Sequence, residues 1–413
     1  MSVSGRASAL AFGLFLASCS DQTPQQAPSN GGAGSGGDAS GGAGGSAGGG
    51  APSTTGGAGN GSGGSTAGSS GSGGAPANGG GGNAQGGAAG SSSTGGSGSS
   101  ESATIRPDPS WTCGAPEGVP PPTQGELVFT AKLEIGDTHE FGATQYGVRR
   151  LRDVSGASFS GERIEGTFLE GGLELELELD NGATELESIN VLRTGDGTLI
   201  YLRTCGFSAP NDVTGRVVLD FEVATSSSYA WLNEGSYAAT RTVSEIDGSV
   251  ELAVYDVTDV AVGEPVIVLQ DPQGVPHQPW ECSTQTGTKG DSVFTENVTL
   301  GSSLSIGASK RGTRNIIPIT GGTVSGDFTG SVVPGGADYQ LIGQTTTLDA
   351  RYTLVSDAGD YVLVRNCGPF GALVPLFEAR KDGPLAFLNA NEFLSSDPGA
   401  GSGGVTITFY ERN

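Results

Sequence analysis

The strongest constraint on this chain is that its second half rewrites its first. Val128-Phe129-Thr130 returns 165 residues later as Val293-Phe294-Thr295, and that offset holds without a gap to Gly161 and Gly326. Along it Phe141-Gly142-Ala143 corresponds to Ile306-Gly307-Ala308, Arg149 to Arg314, and Ser158-Phe159-Ser160-Gly161 to Thr323-Val324-Ser325-Gly326. Small length changes follow, but the landmarks return. Gly171-Gly172 matches Gly335-Gly336, Leu202-Arg203-Thr204-Cys205-Gly206 matches Val364-Arg365-Asn366-Cys367-Gly368, and Ala230-Trp231-Leu232-Asn233 matches Ala386-Phe387-Leu388-Asn389. A period of roughly 160 residues is too long for a solenoid unit and is the size of a domain. The chain is therefore a tandem duplication with its seam near Asp271–Gln278.

Each copy reads as strands. Leu173, Leu175, Leu177 and Leu179 alternate with Glu174, Glu176, Glu178 and Asp180, a period of two that a helix would smear around its surface. Thr198–Arg203, Val217–Val223, Thr347–Val355, Tyr361–Arg365 and Val405–Tyr410 are short β-branched or aromatic runs bounded by Gly, Asp or Asn. No apolar pattern of helical period runs beyond about ten residues. Many short strands per copy predict an all-β protein of two tandem small antiparallel β-barrel or sandwich domains. The acidic side of Leu173–Asp180 is expected to be a solvated sheet face, since it lacks a calcium-loop spacing. Arg149, Arg150 and Arg152, with Lys310, Arg311 and Arg314, are expected to form solvated basic turns.

Ahead of the copies lies a different material. Of 74 glycines, 32 fall in the 70 residues 31–100, which hold the single charge Asp38. So little apolar surface cannot offset chain entropy, and the stretch is expected to be disordered. It is preceded by Arg6, an apolar run from Ala7 to Ala17, and then Ser18-Cys19, which reads as a secretory signal. Leu16-Ala17-Ser18-Cys19 resembles the bacterial lipobox, whose cysteine is acylated and becomes the new N-terminus. The expected organisation is a signal at 1–18, a lipid anchor on Cys19 with a tether at 19–103, copy one at 104–270 and copy two at 271–413. Ser20 after the cysteine points to the outer membrane. As a Gly-rich coil the tether has an r.m.s. span of roughly 50 Å. Residues 101–413 carry 42 acidic against 19 basic side chains, which disfavours nucleic acid as a partner.

With Cys19 acylated, Cys113, Cys205, Cys282 and Cys367 remain, an even number in an oxidising compartment. Three pairings are open. Cys113–Cys205 with Cys282–Cys367 is favoured because each copy then carries the same staple. Metal ligation is disfavoured, since no C-x-x-C and no partnering histidine is present. The two histidines, His139 and His277, have no counterparts in the other copy, so a histidine-dependent triad is not expected. No cofactor motif is present, and the glycine-rich strings of the tether lack the flanking strand and helix of a phosphate loop.

Copy two contains Val333-Pro334-Gly335-Gly336-Ala337-Asp338-Tyr339-Gln340, then Leu348-Asp349-Ala350-Arg351-Tyr352, then Val364-Arg365-Asn366-Cys367-Gly368. Copy one best keeps a further segment, Tyr229-Ala230-Trp231-Leu232-Asn233. Together these strings resemble the domain of unknown function 3237, also known as uncharacterised protein family 0311, over about residues 126–258 and 291–412. The resemblance implies a small antiparallel β-barrel and no settled activity. Copy one departs from the pattern: Asp338 becomes Glu174, and Asp349-Ala350-Arg351-Tyr352 becomes Glu187-Ser188-Ile189-Asn190. A site is therefore expected in copy two.

On a strand Asp349 and Arg351 share one face and Tyr352 the other, while Asp338 and Gln340 share a face. If such faces line a lumen, Asp338, Gln340, Asp349, Arg351, Arg365 and Asn366 are candidates to bind a small polar or anionic ligand. Asp338, Asp349, Arg351 and Tyr352 are the candidates for catalysis, with a carboxylate as general base. The competing explanation is a buried Asp–Arg pair that fixes strand register. The leading reading is a non-enzymatic, lipid-anchored module that binds a small molecule, glycan or protein. The alternatives are an isomerase, cyclase or hydrolase with its site in the copy-two lumen, and a structural surface spacer. Oligomeric state is left open.

Overall fold

The computed structural model describes residues 104–106, 120–244, 246–261, 265–268, 282–401 and 403–413. Cys19, the tether and Cys113 lie outside these residues. In chain order the strands are β1 (Thr104–Arg106), β2 (Glu126–Ala143), β3 (Val148–Ser160), β4 (Glu165–Phe168), β5 (Gly172–Glu178), β6 (Thr184–Thr194), β7 (Leu199–Ser208), β8 (Thr214–Val223), β9 (Tyr237–Val243), β10 (Val250–Asp256) and β11 (Pro265–Val268). Copy two continues with β12 (Lys289–Leu300), β13 (Leu304–Ser309), β14 (Gly312–Gly326), β15 (Gly330–Val332), β16 (Ala337–Ile342), β17 (Thr346–Ser356), β18 (Tyr361–Pro369), β19 (Val374–Ala379), β20 (Phe393–Ser395), β21 (Gly399–Gly401) and β22 (Gly404–Arg412).

The chain is all-β, as its period-two pattern requires. In copy one β2 pairs with both β10 and β3, so the path β2-β10-β9-β8-β7-β6-β4-β3 returns to its start. The result is a closed antiparallel eight-stranded barrel, with β5 lying between β3 and β6 beside the short β4. Closure removes the unpaired edges that make open sheets sticky. Copy two repeats the plan as β19-β18-β17-β15-β14-β12-β22-β20, with β16 bridging β14 and β17. Among the described residues no ladder joins β19 to β20. Inward side chains form each core: Phe129, Phe159, Phe168 and Phe221 in copy one, and Phe294, Phe377 and Phe409 in copy two. The rings meet tilted or edge-on, as at Phe129–Phe159 (5.1 Å), the geometry that their quadrupoles favour.

The two copies meet in a reciprocal way. Arg149 of copy one donates to Glu378 of copy two through Nε (3.0 Å) and Nη2 (2.9 Å). Its equivalent Arg314 donates to Glu222 of copy one through Nε (3.1 Å) and Nη2 (2.6 Å). Thr144 and its equivalent Ser309 add hydroxyl donors to the same carboxylates, at 2.7 and 2.6 Å. Backbone N–H groups of Lys381 and Thr225 donate to the carbonyls of Ala143 and Ala308. Apolar clusters follow the same rule. Phe141, Leu151, Leu173 and Leu175 pack with Leu363 and Tyr361, and their equivalents Ile306, Ile316, Ala337 and Tyr339 pack with Tyr201 and Leu199. Residue i meets j where j's equivalent meets i's, which is the isologous geometry of a two-fold dimer written into one chain.

This seam overturns two expectations. The alternation of β5 is real, but its faces are exchanged: Leu173, Leu175 and Leu177 face the other copy, and Glu174 and Glu176 are buried in the lumen of copy one. The wall opposite copy two must be apolar, so the acidic side turns inward and takes up Arg241, which donates to Glu174 (3.1 Å) and Glu176 (3.0 Å). Likewise Arg149 and Arg314 are buried seam residues rather than solvated turns, because each finds a carboxylate on the opposite copy.

Candidate functional site

Strand alternation divides the sequence candidates between two places. Ala350 and Tyr352 of β17 belong to the copy-two core, and Asp338 on β16 and Asn366 on β18 stand directly opposite Ala350. Directly paired residues point the same way, so Asp338, Ala350 and Asn366 form one row on the lumen side, with Gln340 two residues on. Gln340 donates to Asp338 Oδ2 (2.7 Å) and accepts from Asn315 (2.9 Å), while the backbone N–H of Asp349 donates to Asp338 Oδ1 (3.3 Å). Ser395 of β20 donates to Asn366 (3.0 Å). Ala350 is the small residue of this row, between Asp338 and Asn366.

The same core holds an acid that lies outside the family strings. Glu296 on β12 is fully buried, and Tyr352 donates to its Oε2 at 2.7 Å. Its Oε1 has no hydrogen-bond partner among the described residues. Burial pushes the Glu296 carboxyl up to about 8, against the small opposing effect of the Tyr352 hydroxyl. Burial also raises Asp338, to about 6, while the hydrogen bonds from Gln340 and Asp349 oppose the rise. Glu296 is thus a neutral acid at pH 7 and Asp338 is largely a carboxylate. Phe294, Glu296 and Val298 alternate on one face of β12, so the parity of the flanking core residues was the signal that marks Glu296 as inward. Copy one has Ala131 at that position.

The remaining candidates stand on the outer face of the same strands, in the seam. Arg365 donates to Asp349 through Nε (2.9 Å) and Nη2 (3.1 Å), and Arg203 donates to Glu187 through Nε (3.0 Å) and Nη2 (2.6 Å). These are equivalent pairs, one from each copy. Arg351 joins them, donating from Nη1 to Glu187 (2.7 Å) and from Nε to Asp349 (3.2 Å). Burial alone would raise both carboxyls, but the guanidiniums outweigh it. Arg351 and Arg203 hold Glu187 at about 2, and Arg351 and Arg365 hold Asp349 well below the usual carboxylate range. Asp349, Arg351 and Arg365 therefore do not share the lumen with Asp338, Gln340, Tyr352 and Asn366. Of their bonds, Arg351–Glu187 crosses from one copy to the other.

Copy one fills the equivalent lumen with its own partners. Ser188 and Thr204 share a 2.7 Å hydrogen bond, Asn190 donates to Ser188 (3.3 Å), and Arg241 bridges Glu174 and Glu176. A concavity of about 420 Å³ on its outer wall is lined by Thr130, Lys132, Thr240, Thr242 and Glu251, among others. Lys132 there is bound to Asp247 (2.8 Å). His139 rests against Asp153 (2.8 Å). Cys282 and Cys367 form a disulfide with Cα atoms 5.3 Å apart, and Cys205 is disulfide-bonded too. No group of three or more His, Cys, Asp or Glu side chains suited to a metal ion occurs among the described residues.

A family model described as "Protein of unknown function (DUF3237)" matches residues 123–257 and again 289–375. The chain belongs to this family. Its relatives include a UPF0311 protein of Bradyrhizobium diazoefficiens, 38% identical over 96 residues that make up 22% of this chain and 63% of that protein. The chain thus spans under two thirds of that relative's length. A UPF0311 protein of Clostridium acetobutylicum is 35% identical over 107 residues, 25% of this chain and 68% of that one. Among solved structures, a protein of unknown function from Clostridium acetobutylicum aligns with a TM-score of 0.30 at 22% identity, covering 32% of this chain and 96% of its own. A β-barrel-like protein from Acinetobacter baumannii aligns with a TM-score of 0.29 at 24% identity, covering 32% and 94%. This DUF3237 chain carries the family segment twice, and the polar row and the buried Glu296–Tyr352 pair lie in the second.

Proposed function

We propose that this DUF3237 protein is a small-molecule-binding lipoprotein of the outer membrane, held through Cys19, with its binding site in the lumen of copy two. The observation that carries the reading is Glu296. A buried polar atom left without a partner costs about 1–3 kcal/mol, and a ligand that bonds to Oε1 removes that cost. Asp338, Gln340 and Asn366 supply further convergent polar groups above it. With one carboxylate, one neutral acid and no lumen cation among these residues, the site favours uncharged polar ligands that offer both donors and acceptors, and disfavours anions. Copy one is the scaffold.

The test is thermal unfolding of the full-length chain against monosaccharides, polyols and small hydroxylated aromatics. A ligand at about 100 times its dissociation constant adds roughly 2.7 kcal/mol, a rise of a few degrees. The rise is expected to vanish in Asp338→Asn and Glu296→Gln and to survive Ser188→Ala in copy one. A shift that survives both copy-two changes places the ligand elsewhere. A second reading has its own support: carboxyls at about 8 and about 6 in one lumen are a ready acid and base near neutrality. Turnover of a bound compound, lost in the same two variants, would make the protein an enzyme.

A further inference from the structure

The seam cluster around Arg351 breaks the pseudo-two-fold symmetry that surrounds it. Glu187–Arg203 and Asp349–Arg365 are equivalent acid–arginine pairs, but the position equivalent to Arg351 in copy one is Ile189, which packs in an apolar cluster. A third guanidinium has been placed between two pairs that already match. Arg351 is 2% exposed, and its Nε and Nη1 are taken by Asp349 and Glu187. Its Nη2 is buried and has no hydrogen-bond partner among the described residues. A guanidinium cannot shed its proton to relieve this. Three guanidiniums meet two carboxylates here, a surplus of one positive charge: burial and then the charge of Arg351 push Arg203 below the ordinary arginine range, while Asp349 and Glu187 hold Arg351 above it.

We propose that the seam holds a small monovalent anion, of halide or formate size, bonded to Arg351 Nη2 between the two copies. Such an ion meets the unmet donor and offsets the added cation by charge-assisted bonding. The site is separate from the lumen, since Arg351 and Tyr352 point to opposite faces of β17. It couples the ion to the packing of one copy on the other, because the same guanidinium ties Glu187 of copy one to Asp349 of copy two.

The test compares thermal unfolding of the full-length chain in sodium chloride and sodium gluconate at equal ionic strength. Chloride is expected to raise the midpoint by a few degrees in a saturable manner, whereas gluconate is too large to enter. Arg351→Ile installs the copy-one residue and leaves the two matched pairs, so it is expected to fold and to lose the chloride dependence. Equal midpoints in the two salts, or an undiminished chloride effect in Arg351→Ile, overturn the proposal. If that variant does not fold, crystals of the native chain grown in bromide decide. Anomalous density within hydrogen-bond distance of Nη2 supports the site, and a water or nothing there overturns it.

Discussion

The two copies share a strand plan, a seam and a core, yet they resolve the same interior problem in opposite ways. At equivalent positions copy one has Glu174, Glu176, Ser188, Asn190 and Ala131, and copy two has Asp338, Gln340, Ala350, Tyr352 and Glu296. Copy one adds Arg241 and thereby turns its inward acids into an ion pair network, with Ser188 and Thr204 bonded to each other. Copy two adds no cation, keeps a small residue in the row, and buries an acid with one oxygen unmet. Buried polar groups are ordinarily satisfied. Copy one also leaves the buried Asn190 Oδ1 and Arg152 Nε without partners among the described residues, but its inward acids are paired with arginines, whereas the buried acid of copy two faces no cation, and that is where a ligand is expected.

The largest expected effect tests the seam that both copies share. Glu222→Gln leaves Arg314 without its carboxylate and Arg311 with Asp220 alone, and it is expected to cost about 3–5 kcal/mol in denaturant unfolding. Glu378→Gln should cost less, because Glu378 answers one arginine where Glu222 answers two. Equal costs would break this ranking, and costs under about 1 kcal/mol for both would break the reading of the seam as the chief clamp. Next comes the plug of copy one. Arg241→Met strands Glu174 in a closed lumen and leaves Glu176 to Arg150 and Arg152, and it is expected to cost about 3 kcal/mol, with partial recovery on acidification as Glu174 protonates.

The smallest effect is a slope. Glu296 is raised from the ordinary glutamate value to about 8 in the folded chain, so between about pH 4.5 and 8 the folded state holds a proton that the unfolded state has released. Its contribution therefore makes stability fall as pH rises through that window, by at most about 1.4 kcal/mol per pH unit, and then level off. Glu296→Gln is expected to flatten that fall, measured as unfolding midpoint against pH. Ala131→Glu in copy one, with no tyrosine beside it, should introduce a comparable slope there.

Much of this is legible in the chain itself. The gapless offset of 165 residues and the Leu/Glu alternation of Leu173–Asp180 specify two β domains, because period and repetition are properties of the chain itself. The pairing of Cys282 with Cys367 followed from the repeat as well. Which face of a strand is inside is a different matter. Alternation sorts Asp349 and Arg351 from Tyr352, but only the partner surface decides that the arginine side meets another domain, and that Glu174 and Glu176 turn inward. Arg241 was invisible for the same reason: it lies 65 residues from Glu176, and nothing in its own neighbourhood names its partner.

The reciprocity of the seam also says something about how the halves were able to diverge. In an assembly of identical chains each substitution appears twice, so a plug such as Arg241 would close both interiors and an opening would breach both. Joining the two halves covalently ends that compulsion. Glu222 and Glu378 can stay matched while Ala131 and Glu296 part company, and one chain holds two unlike interiors that a symmetric pair is forbidden to have.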